Sequence, residues 1–292
     1  QQAEQKANIE INRVVAGIPA NQLQIEECQG MIAVSDQSKE ITGQDVQDVA
    51  SAALVRNLPP EREILNILPQ SFTVDGFDGI KDPRGMMGVR LEMNGILFTA
   101  PKTMIHNLKK CIEKAGLTLS QLVVNPLALG KLALSDGEQD FGAIVVDLGG
   151  GQSTAAVIHD HQLKFTAIDQ EGGDHMTKDI SVVLNTSIEN AEKAKRDYGN
   201  ADSLAASEEQ IPIEVVGQAL PVQVTEKKLA EIIEARTMQI FDRLKAELDK
   251  VHAFDMPGGV IMTGGVTALP GIVDLAKEIF NCPVKLYIPD QM

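Results

Sequence analysis

With 292 residues, 43% of them hydrophobic, the chain is long enough for two domains that each have a core. A net charge of −15, with eight Phe, two Tyr and no Trp, argues against nucleic acid as a partner, because the charge repels phosphates and stacking side chains are scarce. Three cysteines are too few for a disulfide framework, and no apolar run approaches the roughly 20 residues of a membrane-spanning helix.

The first hundred residues have the pattern of a small unit of helix and sheet. Residues 9–17 alternate and then run apolar, which predicts a strand. Thr42 and Asp45 form a capping box, so a helix is predicted to begin there and to end before Pro59. Three runs with strand composition follow, at 63–68, 71–75 and 89–99. Residues 18 to about 100 are therefore predicted to form an α+β unit of their own.

The next stretch reads as helix, strand and helix. Pro101 suits a first helical position and Gly116 suits the end of the same helix. A short strand is predicted at 121–124 and a connecting helix at about 126–134. The polar residues 135–140 predict a break before the next strand.

The middle of the chain begins with the continuous apolar run 143–147, which is typical of a strand buried on both faces. Two more strands are predicted, at 154–158 and 163–168. Thr186 and Glu189 resemble a second capping box, for a helix that ends at Gly199.

The last part of the chain is dominated by one long helix. A hairpin is predicted at 213–224, after the polar loop 200–212. The long helix is predicted from Thr225 to about residue 252, with a wide charged face that reads either as a solvated surface or as a docking face for a partner tail. A strand, a helix and a strand complete the chain, at 259–262, 270–280 and 284–288.

A glycine-rich turn follows the buried strand, at residues 147–154 (Asp-Leu-Gly-Gly-Gly-Gln-Ser-Thr). Its three glycines let the backbone amides approach an anion, and consecutive amides at such a turn form an anion-binding nest. The carboxylate of Asp147 beside an anion site indicates Mg²⁺ or its coordinated water. The turn therefore predicts a phosphate site, with a Gly-rich hairpin turn capped by Asp as the alternative, because short glycine motifs often match by chance.

Two further glycine pairs have a related setting. Gly264 and Gly265 follow a strand and precede a helix, which leaves room for a flat ring or a ribose near the strand end. An ordinary tight connection is the alternative. Gly172 and Gly173 lead into a helix predicted at 175–184 and carry the weakest signal when taken alone.

The order of these motifs resembles the second lobe of the actin, Hsp70 and sugar-kinase superfamily, whose members clamp ATP between two lobes. Five other stretches extend the resemblance, across essentially the whole chain, to the FtsA family of bacterial cell-division proteins, particularly of Gram-positive cocci. They lie at 14–19, 68–76, 82–91, 172–180 and 233–236.

This resemblance implies an α/β fold: the actin-like (ribonuclease H-like) two-lobed fold, in which an inserted α+β subdomain, 1C, replaces the usual small subdomain of actin. The implied subdomains are 1A at 1–17 and 101–140, 1C at 18–100, 2A at 141–176 and 253–292, and 2B at 177–252. The sequence is expected to be an excerpt that lacks the family's first phosphate loop and its C-terminal amphipathic membrane helix. ATP binding by this excerpt alone is therefore expected to be poor.

The resemblance also implies the site residues and their ligands, ATP and Mg²⁺. It implies a second phosphate loop of Asp147, Gly149, Gly150, Gly151, Gln152 and Ser153, with Asp147 holding Mg²⁺ through water; nucleotide contacts at Gly172 and Gly173; a ribose or adenine side at Glu192 and Lys195; and an adenosine motif at Gly264 and Gly265. No catalytic residue is implied. Many relatives have Thr-Thr-Asp after the glycines, whereas residues 152–154 are Gln-Ser-Thr. Loss of that Asp predicts weak ATP hydrolysis at most, because water activation needs a positioned polar group.

The function implied is that of a filament-forming adaptor at the cytoplasmic face of the membrane, at the division septum. ATP would be a structural ligand for polymerisation. The implied partners are the C-terminal tail of FtsZ through 177–252, later division proteins through 18–100, further copies of the same protein, and the membrane. The alternatives are an ATPase or sugar kinase of the same superfamily and, less consistent with the inserted unit, an Hsp70-like chaperone.

Overall fold

The computed structural model describes residues 2–18, 23–34, 38–54, 59–218 and 220–288. Gln1, Pro19 and residues 289–292, on which parts of the sequence predictions fall, lie outside the described residues. The chain divides into two compact units, Gln1–Asn125 and Pro126–Met292. The helix predicted at about 126–134, which was assigned to subdomain 1A, thus belongs to the second unit, and the subdomain boundaries stay predictions.

The first unit contains a four-stranded antiparallel sheet and a separate parallel pair of strands. Its elements are α1 (Gln2–Ala7), β1 (Arg13–Ile18), β2 (Gln24–Ala33), α2 (Gly43–Ala53), β3 (Arg62–Val74), β4 (Phe77–Ile80), β5 (Arg90–Pro101), α3 (Lys102–Lys114) and β6 (Thr118–Val124). The larger sheet has the order β2-β5-β3-β4, and β1 pairs with β6. The predicted capping box of α2 is present, because Asp45 N–H bonds to Thr42 Oγ1 and Thr42 N–H bonds to the Asp45 carboxylate.

Two details of this unit differ from the sequence prediction. The strands predicted at 63–68 and 71–75 are one strand, β3, whose register shifts between Pro69 and Ser71. Pro69 has no N–H to donate to the ladder, and a bulge accommodates such a residue without ending the strand. The sequence predicts mostly buried thiols, with Cys111 of the 101–116 helix in a core; Cys28 is buried, but Cys111 on α3 is exposed.

The second unit is built on a five-stranded sheet of order β13-β12-β7-β8-β9. Its elements are α4 (Asn125–Ala133), α5 (Asp136–Phe141), β7 (Ala143–Leu148), β8 (Ser153–His159), β9 (Gln162–Asp169), α6 (Gly173–Val183), α7 (Ile188–Tyr198), β10 (Gln210–Ile213), β11 (Val222–Thr225), α8 (Glu226–Asp249), β12 (Val260–Thr263), α9 (Ile272–Phe280) and β13 (Val284–Leu286). β13, β12 and β7 run parallel, and β7, β8 and β9 form an antiparallel meander.

One large apolar cluster fixes this sheet to the long helix. Every residue of β7 except Asp147 is buried, as the apolar run predicts. α8 buries residues three or four positions apart, among them Ile233, Ile240 and Leu244, in the same cluster as Ile144. No helix in the described part of the chain is long and apolar enough to span a membrane.

Two helix starts were predicted wrongly. Residues 135–140, predicted as a break, contain α5, where Ser135 and Glu138 form a capping box. α7 is capped by Ser187, whose hydroxyl accepts from Asn190 N–H at 3.1 Å. Thr186, the predicted cap, instead donates its hydroxyl to the carbonyl of Glu214. The side-chain pattern alone does not distinguish adjacent Thr and Ser as caps, because the choice depends on this distant carbonyl.

Candidate functional site

Two of the predicted glycine motifs lie next to each other at the carboxyl ends of parallel strands. β7 and β12 are neighbours in register, with Asp147 opposite Thr263. Gly264 follows β12 with φ +98°, and a Cβ there would lie 2.5 Å from the carbonyl oxygen of Leu148 and 2.6 Å from Asp147 Oδ1. Only glycine fits this crossing. The carboxyl ends of parallel strands are where open α/β sheets bind ligands.

The turn between β7 and β8 is held from one side by the start of α6. Gly149 N–H donates to the Gln152 carbonyl at 3.1 Å and closes the turn. The carbonyls of Gly149 and Gly150 accept from the N–H groups of Gly173 (3.0 Å) and Asp174 (2.8 Å). A Cβ on Gly172 would lie 2.4 Å from one of these carbonyl oxygens and 2.6 Å from the other. The third glycine motif therefore also needs glycine, because a side chain there would clash with the turn.

These bonds determine where the amides of the turn point. A carbonyl and the next N–H belong to one planar trans peptide and point in opposite directions. With the Gly149 and Gly150 carbonyls directed at α6, the N–H groups of Gly150 and Gly151 are directed away from it. Within the described residues, the amides of Gly150, Gly151 and Gln152 donate no hydrogen bond. Three consecutive unpaired donors of this kind are what an anion nest requires, and whether they bind an anion stays a prediction.

A buried cation stands beside this turn. Lys195 Nζ lies 2.9 Å from the Gly173 carbonyl, 2.7 Å from Thr177 Oγ1 and 2.6 Å from Glu192 Oε2. Burial of Glu192 acts to raise the pKa of its carboxyl, but the hydrogen bonds from Lys195 and Thr177 outweigh burial and lower that pKa. Glu192 is therefore ionised at neutral pH, and the pair fixes α7 to the start of α6.

A cavity of about 430 Å³ opens between these elements. It is lined by Gly150, Gly173, Asp174, Glu192, Lys195, Arg196, Gly199, Gly265, Val266, Ala268, Leu269 and Pro270. Five predicted site residues are thus brought together on its wall: Gly150, Gly173, Glu192, Lys195 and Gly265. The remaining predicted residues lie behind this wall or beside it: Asp147, Gly149, Gly151, Gln152, Ser153, Gly172 and Gly264.

The Asp147 side chain is half-buried, and burial raises the pKa of its carboxyl. It has no hydrogen-bond donor in the part of the chain that the structure describes. A carboxylate without a protein partner beside an anion nest fits a divalent cation or its water. Ser153 differs, because it is fully buried and its hydroxyl donates to the Glu171 carbonyl at 2.8 Å.

The predicted site residues left out three polar side chains of this site, Asp174, Thr177 and Arg196, and the lining residues Gly199, Val266, Ala268, Leu269 and Pro270. Arg196 follows Lys195 on α7, is exposed on the cavity wall, and has no hydrogen-bond partner among the described residues. Its position four residues after Glu192 was a usable signal, because such residues share a helix face. Asp174 and Thr177 could have been found in the same way, because they lie three residues apart on α6. Gly199 could not, because its role is close packing against Lys195 O, Ile233 and Leu269.

Comparison with known proteins gives two family matches and relatives of high identity. The family model described as "Cell division protein FtsA" matches residues 144–292, and "SHS2 domain inserted in FTSA" matches 20–99. The "Cell division protein FtsA" of Enterococcus hirae is 61% identical over 292 residues, which are 100% of this chain and 66% of that protein. The chain therefore spans about two thirds of this relative's length.

Solved structures share the fold at low identity. The chain matches the PilM-PilN type IV pilus biogenesis complex with a TM-score of 0.65 and 15% identity, over 98% of this chain and 72% of the other. It matches MreB5 of Spiroplasma citri bound to ADP with a TM-score of 0.56 and 18% identity, over 65% and 62%. These likenesses and the SHS2 match confirm the predicted actin-like α/β fold with an inserted α+β domain.

Proposed function

This chain belongs to the FtsA family of cell division proteins, and from that premise we propose that the whole protein is an ATP-binding adaptor that polymerises and tethers the FtsZ ring to the cytoplasmic membrane. It acts in this proposal at the cytoplasmic face of the membrane, at the septum. Later division proteins are recruited through residues 18–100. Their normal recruitment in cells by a variant lacking 18–100 would contradict that assignment.

The observation that carries the proposal is the set of unpaired amides at Gly150, Gly151 and Gln152 beside a 430 Å³ cavity. The amides suit phosphate oxygens. The ionised Glu192 is an acceptor for ribose hydroxyls, and Lys195 adds positive charge within the wall. The solved relative in fold, MreB5, was bound to ADP, which supports a nucleotide here.

Two charged side chains of the site suit a nucleotide better than they suit other anions. The chain as a whole carries −15 and repels anions at a distance. Arg196 is the exposed cation of the cavity wall, and we assign it to the nucleotide base, where a guanidinium can stack on an aromatic face. Asp147 is assigned to Mg²⁺ through water, where the ion would offset the phosphate charge.

In this proposal ATP acts mainly by binding, as a structural ligand, and is hydrolysed slowly at most. Residues 152–154 supply no carboxylate after the glycines. Ser153 is engaged with Glu171, and Thr154 is buried within the β7–β8 ladder. Bound nucleotide then favours the polymerising conformation by its higher affinity for that state.

Sedimentation of the full-length protein with Mg-ATP tests this function. We expect ATP to increase the pelleted fraction severalfold, while phosphate release stays below about one per minute, far under the median enzyme turnover of roughly 10 per second. Vigorous turnover would favour an ATPase or kinase. Pelleting that does not depend on nucleotide would contradict the role of ATP in assembly.

We assign the FtsZ tail to the region 177–252. Two cations of the charged face of α8, Arg236 and Arg243, are already paired within the described part of the chain, with Asp179, Glu171 and Asp169. An open groove of about 380 Å³ remains between α6 and α8, with Lys228 and Glu231 on its wall.

Charge reversal at Lys228 tests the docking face. Lys228→Glu should weaken capture of the FtsZ tail at least about threefold, because it inverts one charge of the groove. Lys277→Glu on α9 is the matched control, since both lysines pair with an acidic residue three positions away at 2.9 Å. Equal capture by both variants and the wild type in a pulldown would refute this face.

A further inference from the structure

Glu171 lies between β9 and α6 and joins α8 to the glycine turns. Its carboxylate accepts from Arg236 Nη1 and lies 3.1 Å from Arg243 Nη1. The side chain of Glu171 is 21% exposed and that of Arg236 is 20% exposed, so salt screens this partly buried ion pair less than a fully exposed one. Burial acts to raise the pKa of Glu171, and the bonds to both arginines outweigh it and lower that pKa.

The backbone of the same residue is tied to the phosphate turn. The Glu171 carbonyl accepts from Ser153 Oγ at 2.8 Å, and Ser153 is the first residue of β8 after the glycines. The Glu171 N–H bonds to Asp169 Oδ1 at 3.2 Å. Glu171 is therefore held by its side chain from α8 and by its main chain from the sheet.

The residues that follow Glu171 orient the anion nest. Gly172 packs on the carbonyls of Gly149 and Gly150, and the next two N–H groups bond to those carbonyls. Because each carbonyl fixes the opposite N–H of its peptide plane, a shift of residues 171–174 rotates the donors at Gly150 and Gly151. A displacement of 1 Å at such donors is enough to lose a charge-assisted hydrogen bond.

We propose that Glu171 is a positioning residue for the nucleotide: its clamp by Arg236 and Arg243 of α8 sets the direction of the phosphate-binding amides. The proposal rests on the assignment of ATP to this cavity. It also links the phosphate turn to the groove between α6 and α8, because Arg236 lies on the wall of that groove. Whatever draws Arg236 away from Glu171 then weakens nucleotide binding, and bound nucleotide opposes that withdrawal to the same degree.

The chain offers a matched control for this clamp. Asp179 on α6 accepts from the same guanidinium, at 2.6 Å from Nε and 3.0 Å from Nη2, and its side chain is 30% exposed. Its bond ties the body of α6 to α8 and does not involve residues 171–174. Asp179→Asn thus weakens a bond from the same arginine and changes none of the groups by which residues 171–174 hold the glycine turn.

The test is Mg-ATP titration of full-length wild type, Glu171→Gln and Asp179→Asn. We expect both variants to lose similar thermal stability, while only Glu171→Gln binds ATP about 3- to 30-fold more weakly, the range for coupling through connected networks. Equal affinities in all three proteins, or equal weakening in both variants, would overturn the proposal.

Hydrogen exchange measured without nucleotide tests the positioning role of Glu171 whether or not the cavity binds ATP. If the wild type binds no ATP, the proposed function fails, and the positioning role is decided by exchange alone. Faster exchange at the N–H groups of Gly173 and Asp174, which bond to the carbonyls of Gly149 and Gly150, in Glu171→Gln than in Asp179→Asn supports the clamp. The same exchange in both variants contradicts it.

Discussion

Replacing Gly172 by alanine should lower the free energy of unfolding of the second unit by about 2–3 kcal/mol and weaken ATP binding at least about tenfold. The added Cβ would lie 2.4 Å and 2.6 Å from the carbonyl oxygens of Gly149 and Gly150, which are backbone atoms and cannot rotate aside. Overpacking of this kind costs about 1–3 kcal/mol, and this site has two contacts. The turn that moves to relieve them carries the proposed phosphate donors.

Gly151→Ala is the matched control for this prediction. A Cβ at Gly151 meets no atom within 4 Å, and its φ is not in the left-handed region. Its melting temperature should therefore stay within about 1 °C of the wild type, whereas Gly172→Ala should melt about 4–10 °C lower. Thermal unfolding compares both variants with the wild type, and ATP titration compares Gly172→Ala with the wild type alone, because Gly151 belongs to the proposed phosphate turn. Similar melting of Gly172→Ala and the wild type would show that the turn is not packed as described.

Asp147→Ala should weaken Mg-ATP binding about 10- to 100-fold, the range for losing an outer partner of a bound metal. The carboxylate has no hydrogen-bond donor among the described residues, so its removal leaves no protein group unpaired. In EDTA the variant should bind ATP at least as tightly as the wild type, because the proposed contact runs through the ion and the bare carboxylate repels phosphate. Unchanged Mg-ATP affinity would remove Asp147 from the site, and an equal loss in EDTA would remove the metal from its role.

The same carboxylate should reduce the stability of the empty protein at neutral pH. Burial raises the pKa of Asp147 above its ordinary value of 3.8, so the folded state holds this proton more tightly than the unfolded chain does. The stability that this provides is present below pH 3.8 and is lost as pH rises through the folded pKa. Asp147→Asn should therefore melt higher than the wild type at pH 7 in EDTA, and the difference should vanish near pH 4.

Patterns among residues close in sequence predicted most helices and strands of both units. The capping box at Thr42, the doubly buried β7 and the inward face of α8 depend on neighbours in sequence, and all three are present. The glycine turns were also visible, because few residues other than glycine permit such close approach. The resemblance to the FtsA family then indicated that the three glycine motifs belong to one nucleotide site.

What the sequence could not show depends on contacts between distant segments. The bonds from Gly173 and Asp174 to the carbonyls at 149 and 150 join residues more than twenty positions apart. The buried Ser153 hydroxyl is bound to Glu171, eighteen residues away, although its position after three glycines predicted a phosphate donor. Thr186 likewise does not cap α7, because its hydroxyl donates to the carbonyl of Glu214, 28 residues away. Local propensity carries no information on such partners.

Photolabelling of the full-length protein with 8-azido-ATP in the presence of Mg²⁺ tests the central assignment most directly, because the label attaches beside the base. The account predicts that the label is found in residues 192–199 or 265–270, two segments that contribute residues to the cavity wall, and that excess ATP removes it. Label confined to other parts of the chain, or label that ATP does not remove, would contradict the assignment of this cavity to ATP.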